Sequence, residues 1–338
     1  MWRLLSAGLL LCAAEVSTAQ TANSPTLNSV RNRGAVTCGV NDNLEGFAKA
    51  NSLGEYAGFD IDLCRAVSAA VFADPDKARF ISTTSSNRFR DLLDRKFDIL
   101  IRNTTWTLSR DASLGDFAGI NYYDGQGFMV WKLSGARNAL ELDNISLCVQ
   151  NNSNAQTNAE NYFSINNLRY KPSLFNTVSE AIAAYTAREC DALTTDQSTL
   201  AALLPQQKTP DAHRILSSVV SKDPLGPMVR TNDTGWANVV RWSLYCMINA
   251  EELGVTQENV DSISDADTVD VQRLAGIVGD YGAQLGLSNA WCADIIRTVG
   301  NYGESYQRHL GSASEINLPR GINNLWTNGG LIFAPPIR

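Results

Sequence analysis

Strand-like and helix-like segments alternate along most of this chain, in two separate runs. In the first run, residues 35–40 read as a strand and residues 60–72 as a helix, with Ile61, Cys64, Val67 and Val71 near helical spacing. A strand over 78–83, a helix over 87–95 and a strand over 97–102 follow. This βαβαβ order implies a mostly parallel sheet with helices on both faces. The pattern then restarts with a strand at 145–150, a helix at 156–166 and a short strand at 174–176. It continues with a helix at 179–188, a strand at 191–195 and a helix at 198–204. Two such units in tandem predict an α/β protein of two lobes.

No Pro/Gly/Ser-rich linker separates the units. Two extended segments serve as joins instead, GQGFMVWKL at 125–133 and VSKDPLGPMVRT at 220–231. A chain that crosses at the first and returns at the second makes lobe 1 discontinuous. Lobe 1 is then 20–126 plus 227–338, with a C-terminal helical extension that includes the pattern at 236–253, and lobe 2 is 127–226.

The first residues, MWRLLSAGLLLCAAEVSTAQ, combine Arg3, an apolar run from Leu4 to Ala14 and the small residues Ser17-Thr18-Ala19. This is the pattern of a cleaved secretory signal peptide over residues 1–19. The apolar run falls well short of the roughly 20 residues a spanning helix needs. Leu11 precedes Cys12 where a lipoprotein would have a small residue. No later segment is long and uncharged enough to span a bilayer, so an exported protein without membrane insertion is expected. The net charge of −7, without a Lys/Arg cluster, argues against nucleic-acid binding. The two histidines, His213 and His309, stand far apart, which makes a zinc site or a histidine-based triad hard to build. Neither metal nor cofactor is expected.

Six cysteines remain beyond the leader, an even number suited to an oxidising compartment. Cys38 lies in the first strand and Cys64 in the helix that should pack on it. Cys148 and Cys190 each sit in or beside a strand of the middle region. Cys246 and Cys292 fall on C-terminal helices. The expected disulfides are Cys38–Cys64, Cys148–Cys190 and Cys246–Cys292; buried free thiols are the alternative.

Residues 97–130 carry the functional signal. The strand at 97–102 opens into the polar turn Asn103-Thr104-Thr105, and a helix starts at Thr107 with Arg110 in its first turn. An arginine sits poorly there, because a helix N-terminus carries partial positive charge. Arg110 therefore calls for an anionic partner, and a carboxylate fits its planar two-pronged donor. That partner is either a ligand or an acid of the chain such as Asp111 or Asp116. Asp196, in CDALTTDQSTL, stands where a strand ends and a helix begins. It is either a helix cap or a ligand group, since ligands of open α/β sheets bind at carboxyl strand ends. Arginine from one lobe facing carboxylate from the other would hold a zwitterion such as a free amino acid.

The chain resembles the bacterial extracellular solute-binding proteins of polar amino-acid ABC transporters, family 3, and within it the broad-specificity general L-amino-acid-binding branch. The matching motifs include CGVNDNLEGF (38–47), YAGFDIDLCRAVSAAVFADPDKARF (56–80), ILIRNTTWTLSRD (99–111), DFAGINYYDGQGFMV (116–130), KDPLGPMVR (222–230) and GLIFAPPIR (330–338). The resemblance implies a two-lobed receptor of the type II periplasmic-binding-protein fold, each lobe a mostly parallel sheet flanked by helices and joined by two crossing hinge strands. It implies that Arg110 clamps the α-carboxylate, with the Thr105 hydroxyl on the same ligand and Asn103 beside it, and that Asp196 takes the α-ammonium. Phe59, and Phe47 or Leu44, would wall the side-chain pocket. The lobe-2 turn departs from the family's Gly-Thr-Thr type. It reads Gln150-Asn151-Asn152-Ser153-Asn154, so Ser153 and Asn154 take the hydroxyl positions and Asn152 replaces glycine. The implied partners are a free L-amino acid and ABC permease subunits, and the implied compartment is the periplasm. An enzyme such as a dehydratase on the same scaffold would need a placed general acid or base; a sensor would differ only in its docking partner.

Overall fold

The computed structural model describes residues 24–338, and the expected leader at 1–19 lies outside them. Two five-stranded sheets organise the chain. The first has the order 78–82, 36–40, 99–100, 228–229, 116–117. Val36–Val40 is parallel to Ala78–Ser82 and Ile99–Leu100, whereas Met228–Val229 is antiparallel to both its neighbours. The second has the order 170–175, 145–150, 192–196, 126–131, 213–215. Ile145–Gln150 is parallel to its neighbours, and Gln126–Trp131 is antiparallel to its own. Each sheet is thus parallel where βαβ units build it and antiparallel where a join enters it.

Tyr122–Asp124 and Asp223–Leu225 pair antiparallel as a two-stranded ribbon between the sheets. The first crossing therefore lies just before the expected segment at 125–133. Gln126–Trp131 itself buries five residues in succession, on both faces, and so belongs inside the second sheet. The strand expected at 174–176 runs over Tyr170–Phe175, hidden in sequence by Lys171 and Pro172. It is an edge strand, where proline forfeits no ladder bond.

Local chemistry sets the element ends. Ser24 accepts the Leu27 N–H, Pro25 opens the helix Pro25–Arg33, and Gly34 closes it at φ 74°. Thr177 and Glu180 form a capping box on Val178–Thr186. In the strand Val36–Val40, a Cβ on Gly39 would lie 2.4 Å from the Phe97 ring, so only glycine lets that ring pack.

One core joins Val36–Val40, the helix Phe59–Phe72 and the C-terminal helices, including fully buried Trp236, Ile295 and Tyr306. Trp236 donates its indole N–H to the Asp98 carbonyl at 3.2 Å. The cysteines bond as Cys38–Cys64, Cys148–Cys190 and Cys246–Cys292. The first ties Val36–Val40 to its covering helix Phe59–Phe72, and the third ties Thr234–Glu252 to Trp291–Thr298. No helix of the described residues is long and apolar enough to cross a membrane.

Candidate functional site

Past Ile99–Leu100 the chain turns at Asn103, with φ 45°, a left-handed conformation that asparagine tolerates. The Asn103 N–H donates to Asp60 at 3.3 Å, while its side-chain Nδ2 and Oδ1 are enclosed and have no partner among the described residues. Thr107 caps the helix Leu108–Ser113 by accepting the Arg110 N–H at 3.4 Å. Arg110 in turn donates from Nη1 to the Thr105 carbonyl at 2.8 Å. The turn thus fixes the Arg110 guanidinium. That group forms no ion pair among the described residues; Asp111 accepts the Phe117 N–H instead. Burial pulls the Arg110 pKa down, and Asp196 and Asp223 oppose that. Thr105 is buried beside it.

Asp196 ends the strand Ala192–Asp196 and stands at the start of the helix Gln197–Leu203, yet its side chain caps nothing. The reason is Asp124 of the crossing ribbon. It accepts the Ser198 N–H at 3.3 Å and the Ser198 hydroxyl, and so does the capping from outside. The Asp196 carboxyl is left without a hydrogen-bond partner among the described residues. Asp223 faces Asp124 across the ribbon and accepts from the Ser221 hydroxyl and from Asn154 Nδ2, the latter at 3.4 Å. Burial, then Asp124 and Asp223, push the Asp196 carboxyl well above the usual carboxylate range, while Arg88 and Arg110 pull the other way. Burial raises Asp124 to about 6. An acidic group at a strand end of the second sheet thus feels cations on two helices that pack beside the first.

Several expected ligand residues are employed elsewhere. The Ser153 hydroxyl donates to the Gln150 carbonyl at 2.6 Å and accepts the Gln156 N–H at 3.3 Å, so it serves as the cap of Asn154–Ile165. Asn152 holds φ 55°, the conformation glycine would have supplied. Phe47 and Phe59 are core residues in place of pocket walls. Phe47 packs edge-on against Tyr122, with ring centres 5.4 Å apart, and Phe59 against Tyr302 at 5.3 Å. Tyr302 comes from a C-terminal helix far away in sequence, which is why local reading missed the claim on these rings. Asp60 and Asp62, in the first turn of Phe59–Phe72, are tertiary anchors: Asp60 accepts from Asn103 and Asn121, and Asp62 from Ser305 and Arg308. Trp106 stacks on Phe117 at 5.0 Å.

Sequence reading also missed Arg88. It begins the helix Arg88–Leu93 and is 5% exposed. Its position repeats the anomaly that marked Arg110, a cation in the first turn of a helix. That signal was available.

Residues 36–259 match the family of bacterial extracellular solute-binding proteins, family 3. The chain is 45% identical over 339 residues to the General L-amino acid-binding periplasmic protein AapJ of Rhizobium johnstonii, covering 99% of each. It is 41% identical over 322 residues to the Glutamate/glutamine/aspartate/asparagine-binding protein BztA of Rhodobacter capsulatus, covering 95% of each. A solved ABC transporter periplasmic binding protein from Brucella ovis with glutathione bound is similar at a TM-score of 0.90 and 47% identity, over 93% of this chain and 99% of that one. Two α/β sheets with a crossing ribbon, oppositely charged groups between them and this match along most of the chain lead to one assignment: the chain belongs to the bacterial extracellular solute-binding proteins, family 3.

Proposed function

We propose that this protein captures free L-amino acids in the periplasm, between lobe 1 (20–126 plus 227–338) and lobe 2 (127–226), and delivers them to the permease of an ABC transporter. The observation that carries the reading is the pairing of Arg110 and Asp196. Arg110 is on the helix Leu108–Ser113 and Asp196 ends a strand of the second sheet, each feels the other's charge, and neither has an ion-pair partner among the described residues. The α-carboxylate would take the Arg110 fork, with Asn103 and Thr105 beside it, and the α-ammonium would take Asp196. Ligand bridging the lobes favours the closed arrangement by its differential affinity for it, with the 122–124 and 223–225 ribbon as the hinge.

The reading is of binding without a chemical step, as the names of the relatives suggest. Both histidines are engaged elsewhere, His213 with Tyr185 and His309 with Asp62. The test is thermal unfolding of the ligand-stripped protein against the L-amino acids, their D-forms and their amides. Ligand at about 100 times its dissociation constant adds roughly 2.7 kcal/mol of stability. Shifts with L-amino acids that vanish with the amides are expected. Absence of any shift would overturn the assignment.

A further inference from the structure

A zwitterion held by Arg110 and Asp196 leaves a second buried cation unexplained. Arg88 is 5% exposed, and its guanidinium donates no hydrogen bond and forms no ion pair among the described residues. Its Nε is enclosed without a partner. Its guanidinium carbon lies 4.8 Å from the centre of the Phe89 ring, and that of Arg110 lies 5.5 Å from the same centre. The two cations are therefore neighbours on one aromatic platform. Asp196 is the acid that acts on both, and it stands beyond ion-pair distance of either. Burial, followed by Arg110 and Arg102, drives the Arg88 pKa well below its ordinary value, as for a cation lacking compensation.

Asn103 adds to the pattern. Of the six enclosed side-chain polar atoms without a partner among the described residues, three belong to Arg88 and Asn103. Buried charges are ordinarily paired, because an unpaired one forfeits its hydration with nothing in return. A neutral amino acid would satisfy Arg110 and Asp196 and leave Arg88 as it is. An anionic second group would complete the charge balance, and a guanidinium suits a carboxylate through two parallel donors.

We infer that Arg88 receives a second carboxylate of the ligand, so that the cleft prefers zwitterions that carry one over neutral amino acids. The inference rests on the reading of this cleft as an amino-acid site. The second carboxylate comes either from the side chain of glutamate or aspartate or from the C-terminus of a short γ-glutamyl peptide.

Calorimetric titration of the ligand-stripped protein with L-glutamate, L-aspartate, L-glutamine, L-asparagine, L-alanine and glutathione tests this. Wild type should bind glutamate or glutathione at least about tenfold more tightly than glutamine, the scale of one added charge-assisted contact. Glutamate leading assigns the side-chain source, and glutathione leading assigns the peptide source. In Arg88→Gln the preference over glutamine should collapse by about tenfold or more, and Arg88→Lys should retain part of it. Ligand-free melting of each variant checks the fold independently. Two results overturn the inference while sparing the amino-acid reading: wild type binding all six within roughly threefold, or Arg88→Gln keeping the wild-type preference. Failure of wild type to bind any of the six overturns the amino-acid reading and this inference with it.

Discussion

Replacing Asp196 by asparagine should move binding and stability in opposite directions. Asp196 stands where a helix cap belongs, but Asp124 supplies the bonds to Ser198 that a cap would make. In the ligand-free protein the Asp196 carboxylate is therefore a cost: it is desolvated, unbonded and close to Asp124 and Asp223. Asparagine keeps the shape and removes the charge. Relief of that repulsion should stabilise the ligand-free protein by about 1–2 kcal/mol, a rise of a few degrees in melting temperature. Binding should lose the proposed partner of the α-ammonium, and truncating one side of such a pair costs roughly 2–5 kcal/mol. The assay is paired: thermal unfolding without ligand, and calorimetric titration with the amino acid that shifts wild type most. Higher ligand-free stability with affinity weakened about thirtyfold or more is expected. A ligand-free protein less stable than wild type, with affinity unchanged, would refute the argument and return Asp196 to the role of a cap. Such a trade between stability and function is what a preorganised site predicts.

Arg110→Ala should lower affinity by roughly 2–5 kcal/mol in the same titration while ligand-free melting changes little, since loss of the bond to the Thr105 carbonyl and of the contact with the Phe89 ring is offset by removal of a buried unpaired cation; wild-type affinity would exclude the carboxylate clamp. Burial raises the Asp60 carboxyl from 3.8 to about 7, against the opposing bonds from Asn103 and Asn121. A raised carboxyl favours the fold below its unfolded value and loses that contribution as pH climbs through the folded one. Stability should therefore decline between about pH 4 and pH 7 by up to roughly 4 kcal/mol, and Asp60→Asn should flatten that decline; an unchanged profile in the variant would assign the decline to other groups. Replacing both Cys148 and Cys190 by serine opens a loop with a sequence separation of 42, which should cost about 4 kcal/mol by chain entropy. An unchanged urea midpoint would contradict it.

Much of the architecture is legible in one dimension because it rests on local rules. The alternation of strand and helix is a matter of periodicity, and both sheets contain the parallel strands it implies. Arg110 could be singled out because a cation at a helix start contradicts the local field, and the same contradiction at Arg88 was there to be read. The strand ends that carry Asn103 and Asp196 follow from the same one-dimensional reading.

What the sequence could not decide is which partner claims a group able to take several. Asp196 by itself looked more like a cap than a ligand group, and only the arrival of Asp124 on the crossing ribbon leaves its carboxyl without that task. Ser153 looked like a ligand hydroxyl, and the two bonds closing its own turn occupy it. Phe47 and Phe59 looked like pocket walls, and Tyr122 and Tyr302 draw them into the core. Local periodicity and field are properties of neighbours along the chain, so the sequence by itself determined the elements and the misplaced cations. Hydrogen-bond capacity and burial are shared among groups up to hundreds of residues apart, so only the tertiary structure decided which side chains remain unsatisfied and thus open to a ligand.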